Sequence, residues 1–305
     1  MSKALMLALA IETVILGALL TVAADQIAHT YVEKLGGVNI WGYRGSVLHQ
    51  KRPNEVRIAV TGGDLAFGWG VAASETLAPS VRDLVRVRLD LPGRDARLVT
   101  GVTTAARGLA PKSYASWIDH YAYLRPDVIC LVPDPISHVP GGPAFLPDRR
   151  SIVFRTFGYS PILPLVLQEK STFAHSALLG LAGRLLDGTD GLLGDDSPEA
   201  AGVANIAAYT TAIDAAVRAG LRSATAGVVV VLAPANDNRA VMERLASSIV
   251  GVRVRVVDLG ADPRMLDAGL RLDGFNFSTG GHAVAAENVA PAVRELVEQA
   301  GLGAH

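Results

Sequence analysis

The stretch TGGDLAFGWGV, Thr61 to Val71, constrains this chain more than any other. It follows EVRIAV (Glu55 to Val60), a run rich in β-branched residues that reads as a strand. It precedes Ser74 to Leu91, where apolar positions recur at helical spacing. Strand, glycine-rich turn and helix together present one side chain at the carboxyl edge of a parallel sheet. Gly62 and Gly63 permit the tight turn, Asp64 is the residue displayed, and Gly68 and Gly70 allow close backbone approach behind it. From the residues alone, Asp64 reads as a cap for the following helix or as a carboxylate nucleophile.

The same alternation continues downstream. RLVTGV (Arg97 to Val102), VICLV (Val128 to Val132), AGVVVVLA (Ala226 to Ala233) and VRVRVVDL (Val252 to Leu259) read as four further strands. Helical stretches are expected at Ser113 to Leu124, Asn205 to Leu221 and Arg239 to Ile249. VICLV is a continuous apolar run of the kind found in central parallel strands. The pattern predicts an α/β fold, a three-layer α/β/α sandwich around a five-stranded parallel sheet, with Val56–Thr61 and Val128–Val132 as neighbouring central strands.

Ala4 to Ala24 stands apart, 21 residues that are almost all apolar and long enough as a helix to cross a bilayer core. Glu12 and Thr13 interrupt it; a carboxyl group at that depth is neutralised, paired with a partner helix, or a sign of cleavage. Val22-Ala23-Ala24 resembles a processing site, but the apolar stretch exceeds a usual signal core. An uncleaved single-pass anchor is expected, with the domain on the extracytoplasmic, periplasmic side, as Lys3 before the span and Asp25 after it imply. The expected organisation is thus an anchor at 1–24, a connector at 25–54, and one domain at 55–300 with an insertion at 139–201.

That insertion breaks the rhythm. It opens proline- and glycine-rich, carries Arg149, Arg150 and Arg155, and continues into a helical apolar run from Phe173 to Leu186. It reads as a lid beside the site or as a surface excursion. Pro161 to Val166 forms an apolar knuckle suited to a membrane face, a partner or packed core.

Bulk properties exclude several classes. A formal net charge of -1 argues against a nucleic-acid binder. The single cysteine, Cys130, lies within VICLV and reads as a core residue rather than a catalytic thiol. No metal-type cysteine spacing exists, and Asp64 with Asp273 offers only two carboxylates, so no metal or cofactor is expected.

TGGDLAFGWGV resembles the first motif block of SGNH (GDSL-type) hydrolases, and NIWGYRG (Asn39 to Gly45) resembles the lead-in these proteins often carry. The resemblance implies an SGNH hydrolase-like, flavodoxin-like sheet. In that family the residue after the two glycines is the nucleophilic serine; here Asp64 follows Gly63. DGFNFSTGGHAVAAENVAPAV (Asp273 to Val293) resembles the last block. Asp273 falls on the family's acid, Asn276 on its histidine, and Ser278 with Gly281-His282 on helix-entry positions. The oxyanion asparagine is expected within PDPISH (Pro133 to His138), where Ile136 lies near its position and His138 close by. The oxyanion glycine is expected within TTAARGLAP (Thr103 to Pro111), where Gly108 is present but better matches a later glycine of the block.

An amide cannot serve as a general base, so the resemblance implies a degenerate, pseudoenzyme-like site. The role so implied is non-catalytic binding of a glycan, an acyl group or a protein partner in an envelope polysaccharide pathway. The alternative is an active esterase on lipid or acylated carbohydrate with a rearranged site of Asp64, Asp273 and His282. A third reading is an anchor that recruits a membrane protein partner through Glu12.

Overall fold

The structure is a computed structural model and describes residues 3–34, 38–39, 41–89, 98–134, 206–234 and 251–302. The expected insertion, the helix at 239–249, Ile136 and His138 lie outside the described residues. The chain divides into two compact units, one holding residues 1–42 and 147–196 and the other 43–146 and 197–305.

In the first unit, helix α1 (Lys3–Lys34) spans 32 residues. Its stretch Lys3–Ala28 is long and apolar enough to cross a membrane, with mean hydropathy 2.3. The helix runs ten residues past the expected boundary at Ala24, because no glycine or proline interrupts Asp25 to Lys34.

The second unit is built on a five-stranded, all-parallel sheet in the order β2-β1-β3-β4-β5. The strands are β1 (Glu55–Gly62), β2 (Leu98–Thr103), β3 (Val128–Val132), β4 (Gly227–Leu232) and β5 (Val254–Asp258). This is the flavodoxin-like order, whose switch point lies between β1 and β3. The two run side by side, with Thr61 opposite Leu131 and Gly62 opposite Val132. Their neighbouring carboxyl ends are where such a sheet opens a crevice.

Burial follows strand position. Every residue of β1, β3 and β4 is buried, as continuous apolar runs between two helical layers require. Edge strand β5 alternates instead, leaving Val256 exposed. Helices α3 (Leu77–Leu89) and α6 (Thr279–Gln299) pack together on one face; α4 (Tyr114–His120) and α5 (Ile206–Ser223) pack on the other. Helix α4 is shorter than the expected Ser113 to Leu124, with 3₁₀ turns at Pro111–Ser113 and Ala122–Leu124 on either side.

The charges in EVRIAV are buried at the opposite, amino end of β1 and are satisfied there. Arg57 Nε donates to Glu55 at 2.8 Å and Arg57 Nη1 to the Leu124 carbonyl at 2.7 Å. Asp127 accepts the Arg57 backbone N–H at 2.7 Å and pairs with Lys51 at 2.6 Å. Cys130 is buried in β3, where desolvation pushes its thiol up to about 12, so it carries no thiolate chemistry near neutral pH.

Candidate functional site

Strand β1 ends at Gly62, and Asp64 begins a single helical turn, α2 (Asp64–Phe67). The four N–H groups opening a helix need acceptors. Gly63, the N-cap, has no side chain to supply one, and Asp64 does not cap the helix either. The cap comes from across the sheet. Asp134, two residues beyond β3, accepts the Asp64 N–H at 2.8 Å through Oδ2 and the Leu65 N–H at 3.1 Å through Oδ1. A Cβ at Gly63 would collide with that carboxylate, so glycine is what lets Asp134 approach. Asp64 in turn accepts the Gly108 backbone N–H at 2.7 Å through Oδ1. Capping by Asp64, one reading of the sequence, gives way to this arrangement because a carboxylate from β3 already holds the helix donors.

Two tyrosines hold Asp134 by its main chain. Tyr209 Oη donates to the Asp134 carbonyl at 2.8 Å, and the Asp134 N–H donates to Tyr114 Oη at 3.4 Å. Both phenols are pushed above their ordinary range, first by burial and then by the charge of Asp134, so they remain neutral.

Helix α2 ends at Gly68, in the left-handed region at φ 72°, a conformation costly for any residue with a Cβ. Arg44, from the lead-in motif, clamps this end. Its guanidinium donates to the carbonyls of Phe67, Gly68 and Val71 and lies 4.8 Å from the centre of the Phe67 ring. Burial pulls the guanidinium down to about 10. Next to Gly68, Trp69 is 42% exposed, with the Arg107 guanidinium stacked 3.8 Å over its ring. Arg107 directly precedes Gly108, so the Trp–Arg stack borders Asp64.

The last block forms a tight turn ahead of α6. Asp273 Oδ1 accepts the backbone N–H groups of Phe275 at 3.1 Å and Asn276 at 2.7 Å, and Oδ2 accepts Asn276 Nδ2 at 2.8 Å. Burial raises this carboxyl, but the hydrogen bonds from Asn276 and Phe275 outweigh it and hold the group below its usual range. Asp273 therefore holds both the backbone and the side-chain amide of Asn276 within one turn. Asn276 is 8% exposed, and among the described residues its Oδ1 has no hydrogen-bond partner. Ser278 caps α6 by accepting the Gly281 N–H at 3.2 Å.

These pieces adjoin. Gly70 packs on Leu272, immediately before Asp273, and a Cβ at Gly68 would lie 2.8 Å from His282 Nε2. Thr279 Oγ1 donates to Glu75 at 3.0 Å across the same seam. His282 is fully buried, with Phe277 edge-on at 5.5 Å, and among the described residues neither ring nitrogen is hydrogen-bonded. Burial, and then the charge of Arg44, pull its imidazole down to about 3. It is a neutral packing residue behind the Gly68 loop, without the hydrogen bond to an acid that a triad base requires.

Of the residues singled out in the sequence, the structure pairs Asp64 with Gly108 and Asp273 with Asn276. It sets Gly63 against Asp134 and His282 behind Gly68. Ile136 lies outside the described residues, and it is Asp134, within the same PDPISH, that reaches the Asp64 turn. Sequence reading missed Asp134, Arg44 and the Trp69–Arg107 stack. The signal for Asp134 was an acidic residue just past a central strand; the sequence around Arg44 carries no comparable signal. Among the described residues no group of three or more His, Cys, Asp or Glu is arranged to hold a metal.

The chain matches no protein-family profile and no curated protein. Among solved structures it is similar to a G-D-S-L family protein from Desulfitobacterium hafniense DCB-2, at 9% identity, with 77% of this chain and 98% of that one covered and a TM-score of 0.41. It is similar to a family 3 carbohydrate esterase from Talaromyces cellulolyticus, at 12% identity, 80% and 99% coverage and TM-score 0.37. The Clostridium thermocellum family 3 carbohydrate esterase gives 14% identity, 81% and 100% coverage and TM-score 0.38.

Proposed function

We propose that the chain is a membrane-anchored, extracytoplasmic SGNH-type domain that binds a hydroxyl-rich, glycan-type ligand at the carboxyl edge of its sheet and does not hydrolyse it. One observation carries the reading: the Asp64 N–H is held by the Asp134 carboxylate and the Gly108 N–H by the Asp64 carboxylate, so both donors are already committed and neither is free to serve a developing oxyanion. With Asn276 beside Asp273 and His282 buried, no general base stands ready among the described residues to activate a nucleophile. What remains is acceptor chemistry: Asp64 and Asn276, both buried, carry oxygens of the kind that hydroxyl donors seek, and among the described residues Asn276 Oδ1 has no hydrogen-bond partner. An exposed indole at the rim adds a flat apolar surface of the kind that sugar rings stack on. An envelope polysaccharide is the setting that the sequence resemblance and the anchor together favour.

The experiment uses the full-length protein in detergent micelles. Hydrolysis of p-nitrophenyl acetate and acetylated xylan is expected to stay at background, with no labelling by fluorophosphonate probes, which require an activated serine. Binding to immobilised glycans is expected, weakened roughly tenfold or more in Trp69→Ala. Turnover that disappears in Asp64→Ala would make Asp64 a nucleophile and overturn the reading.

A further inference from the structure

Helix α1 has no polar face: apolar side chains run all round it, and Leu9, Val14, Ile15, Leu16 and Leu19 are each exposed. Its polar groups therefore decide which way it turns. Thr13 Oγ1 donates to the Leu9 carbonyl at 2.7 Å and Thr21 Oγ1 to the Gly17 carbonyl at 2.9 Å, so both hydroxyls are satisfied within the helix. Glu12 is different. Among the described residues no hydrogen bond or ion pair reaches its carboxyl group. It lies roughly 5 Å from the midpoint of Lys3–Ala28 at 1.5 Å per residue, well within a hydrocarbon core about 30 Å thick.

A carboxyl group at that depth is either neutralised by protonation or paired, and the partner that keeps it ionised is a cation. Helix α1 has no Lys, Arg or His between Lys3 and His29, so a second copy of this helix offers none at the depth of Glu12. Resting on the membrane-anchor reading above, we infer that α1 docks, through the face centred on Glu12, against a transmembrane helix of a different protein carrying a lysine or arginine at matching depth. Ala8, Ile15 and Leu19 flank Glu12 at helical spacing and form the rest of that face. Val14, two residues on, points away from it.

The test is photo-crosslinking of the full-length protein in membranes of its source cells, with a photoreactive residue at position 15 or position 14. Expected is a cross-link from position 15, and not from 14, to a protein whose spanning helix carries Lys or Arg. The yield should fall at least roughly tenfold in Glu12→Leu and in Glu12→Lys. It should return when Glu12→Lys is combined with replacement of the partner's cation by glutamate. A cross-link to a second copy or within the same chain overturns the inference, as does one that survives Glu12→Leu, or none at all. Carbonate extraction and the mature mass, read on the same samples, separate the two readings. A chain released from membranes, or one beginning at Asp25, refutes the anchor; a chain retained there without a Glu12-dependent cross-link refutes only the partner.

Discussion

Asp134 Oδ2 holds the backbone N–H of Asp64 at 2.8 Å, joining the carboxyl ends of the two central strands through a buried charge. The same carboxylate holds the Leu65 N–H, so one side chain satisfies two donors of a helix only four residues long. Replacing it strands both. A hydrogen bond to a charged group contributes about 1.5–3 kcal/mol, and Asp134→Ala is expected to lower stability by about 2–4 kcal/mol. For a domain of this size that corresponds to a melting temperature lower by roughly 5–15 °C. Asp134→Asn keeps one acceptor and should lose less. Thermal unfolding of the two variants checks the order.

The same contact governs attempts to install catalysis. Asp64→Ser supplies a hydroxyl but no base to take its proton, and Asp134 still occupies the donors of α2. Asn276→His puts an imidazole where Asp273 Oδ2 now accepts the Asn276 amide at 2.8 Å, an acid–imidazole pairing that a triad base needs. Asp134→Asn then exchanges a competing acceptor for an amide that can donate. Expected esterase rates are background for the single variant, a trace for Asp64→Ser with Asn276→His, and a further rise of roughly 100-fold in the triple. A double variant as fast as the triple would show that Asp134 does not block the site.

Gly63 and Asp134 should behave as one unit. A Cβ at Gly63 collides with the Asp134 carboxylate, so Gly63→Ala is destabilising while that carboxylate is present. In an Asp134→Ala background the collision is gone, and the same substitution should cost little. A double-mutant cycle by urea unfolding is expected to give a coupling energy of about 1–3 kcal/mol, and additivity would refute the close approach.

The contrast between Gly63 and Asp134 also marks how far the sequence could be read. EVRIAV, VICLV and the glycines between strand and helix announce a central parallel strand feeding a turn, because strand periodicity and turn chemistry are local properties. Ser278 at the entry of α6, by contrast, was reached only through the motif resemblance. The source of the α2 cap is not, since Asp134 lies 70 residues from Asp64 and capping rules describe neighbours. Arg44 escapes in the same way. Its role is to satisfy carbonyls 23 to 27 residues away, and nothing in GYRG distinguishes such an arginine from a solvated one. Asn276 shows the opposite case: it lies three residues from Asp273, and their hydrogen bond closes a local turn of the kind that sequence neighbours form.

His282 gives the protein a pH dependence whose sign follows from its surroundings. The ring is fully buried, without a hydrogen-bond partner, and near the Arg44 guanidinium; burial and then that charge depress its imidazole to about 3. In the unfolded chain a histidine takes up its proton near pH 6.5. Below that pH the unfolded state binds a proton that the folded state refuses, so stability falls as pH falls, and above it the histidine contributes no slope. The slope approaches about 1.4 kcal/mol per pH unit, so the loss between pH 6.5 and 4 is about 3 kcal/mol. Carboxylates such as Asp273, depressed by their own hydrogen bonds, add losses of the same sign at lower pH, which a single-protein titration would mix with this one. His282→Leu removes only the histidine's share. The check is the difference in unfolding free energy between wild type and His282→Leu, measured in urea at pH 7, 6, 5 and 4. Wild type should lose ground against the variant steadily below pH 6.5, while a difference that stays flat down to pH 4 would mean that the imidazole is protonated in the fold and that Arg44 does not face it.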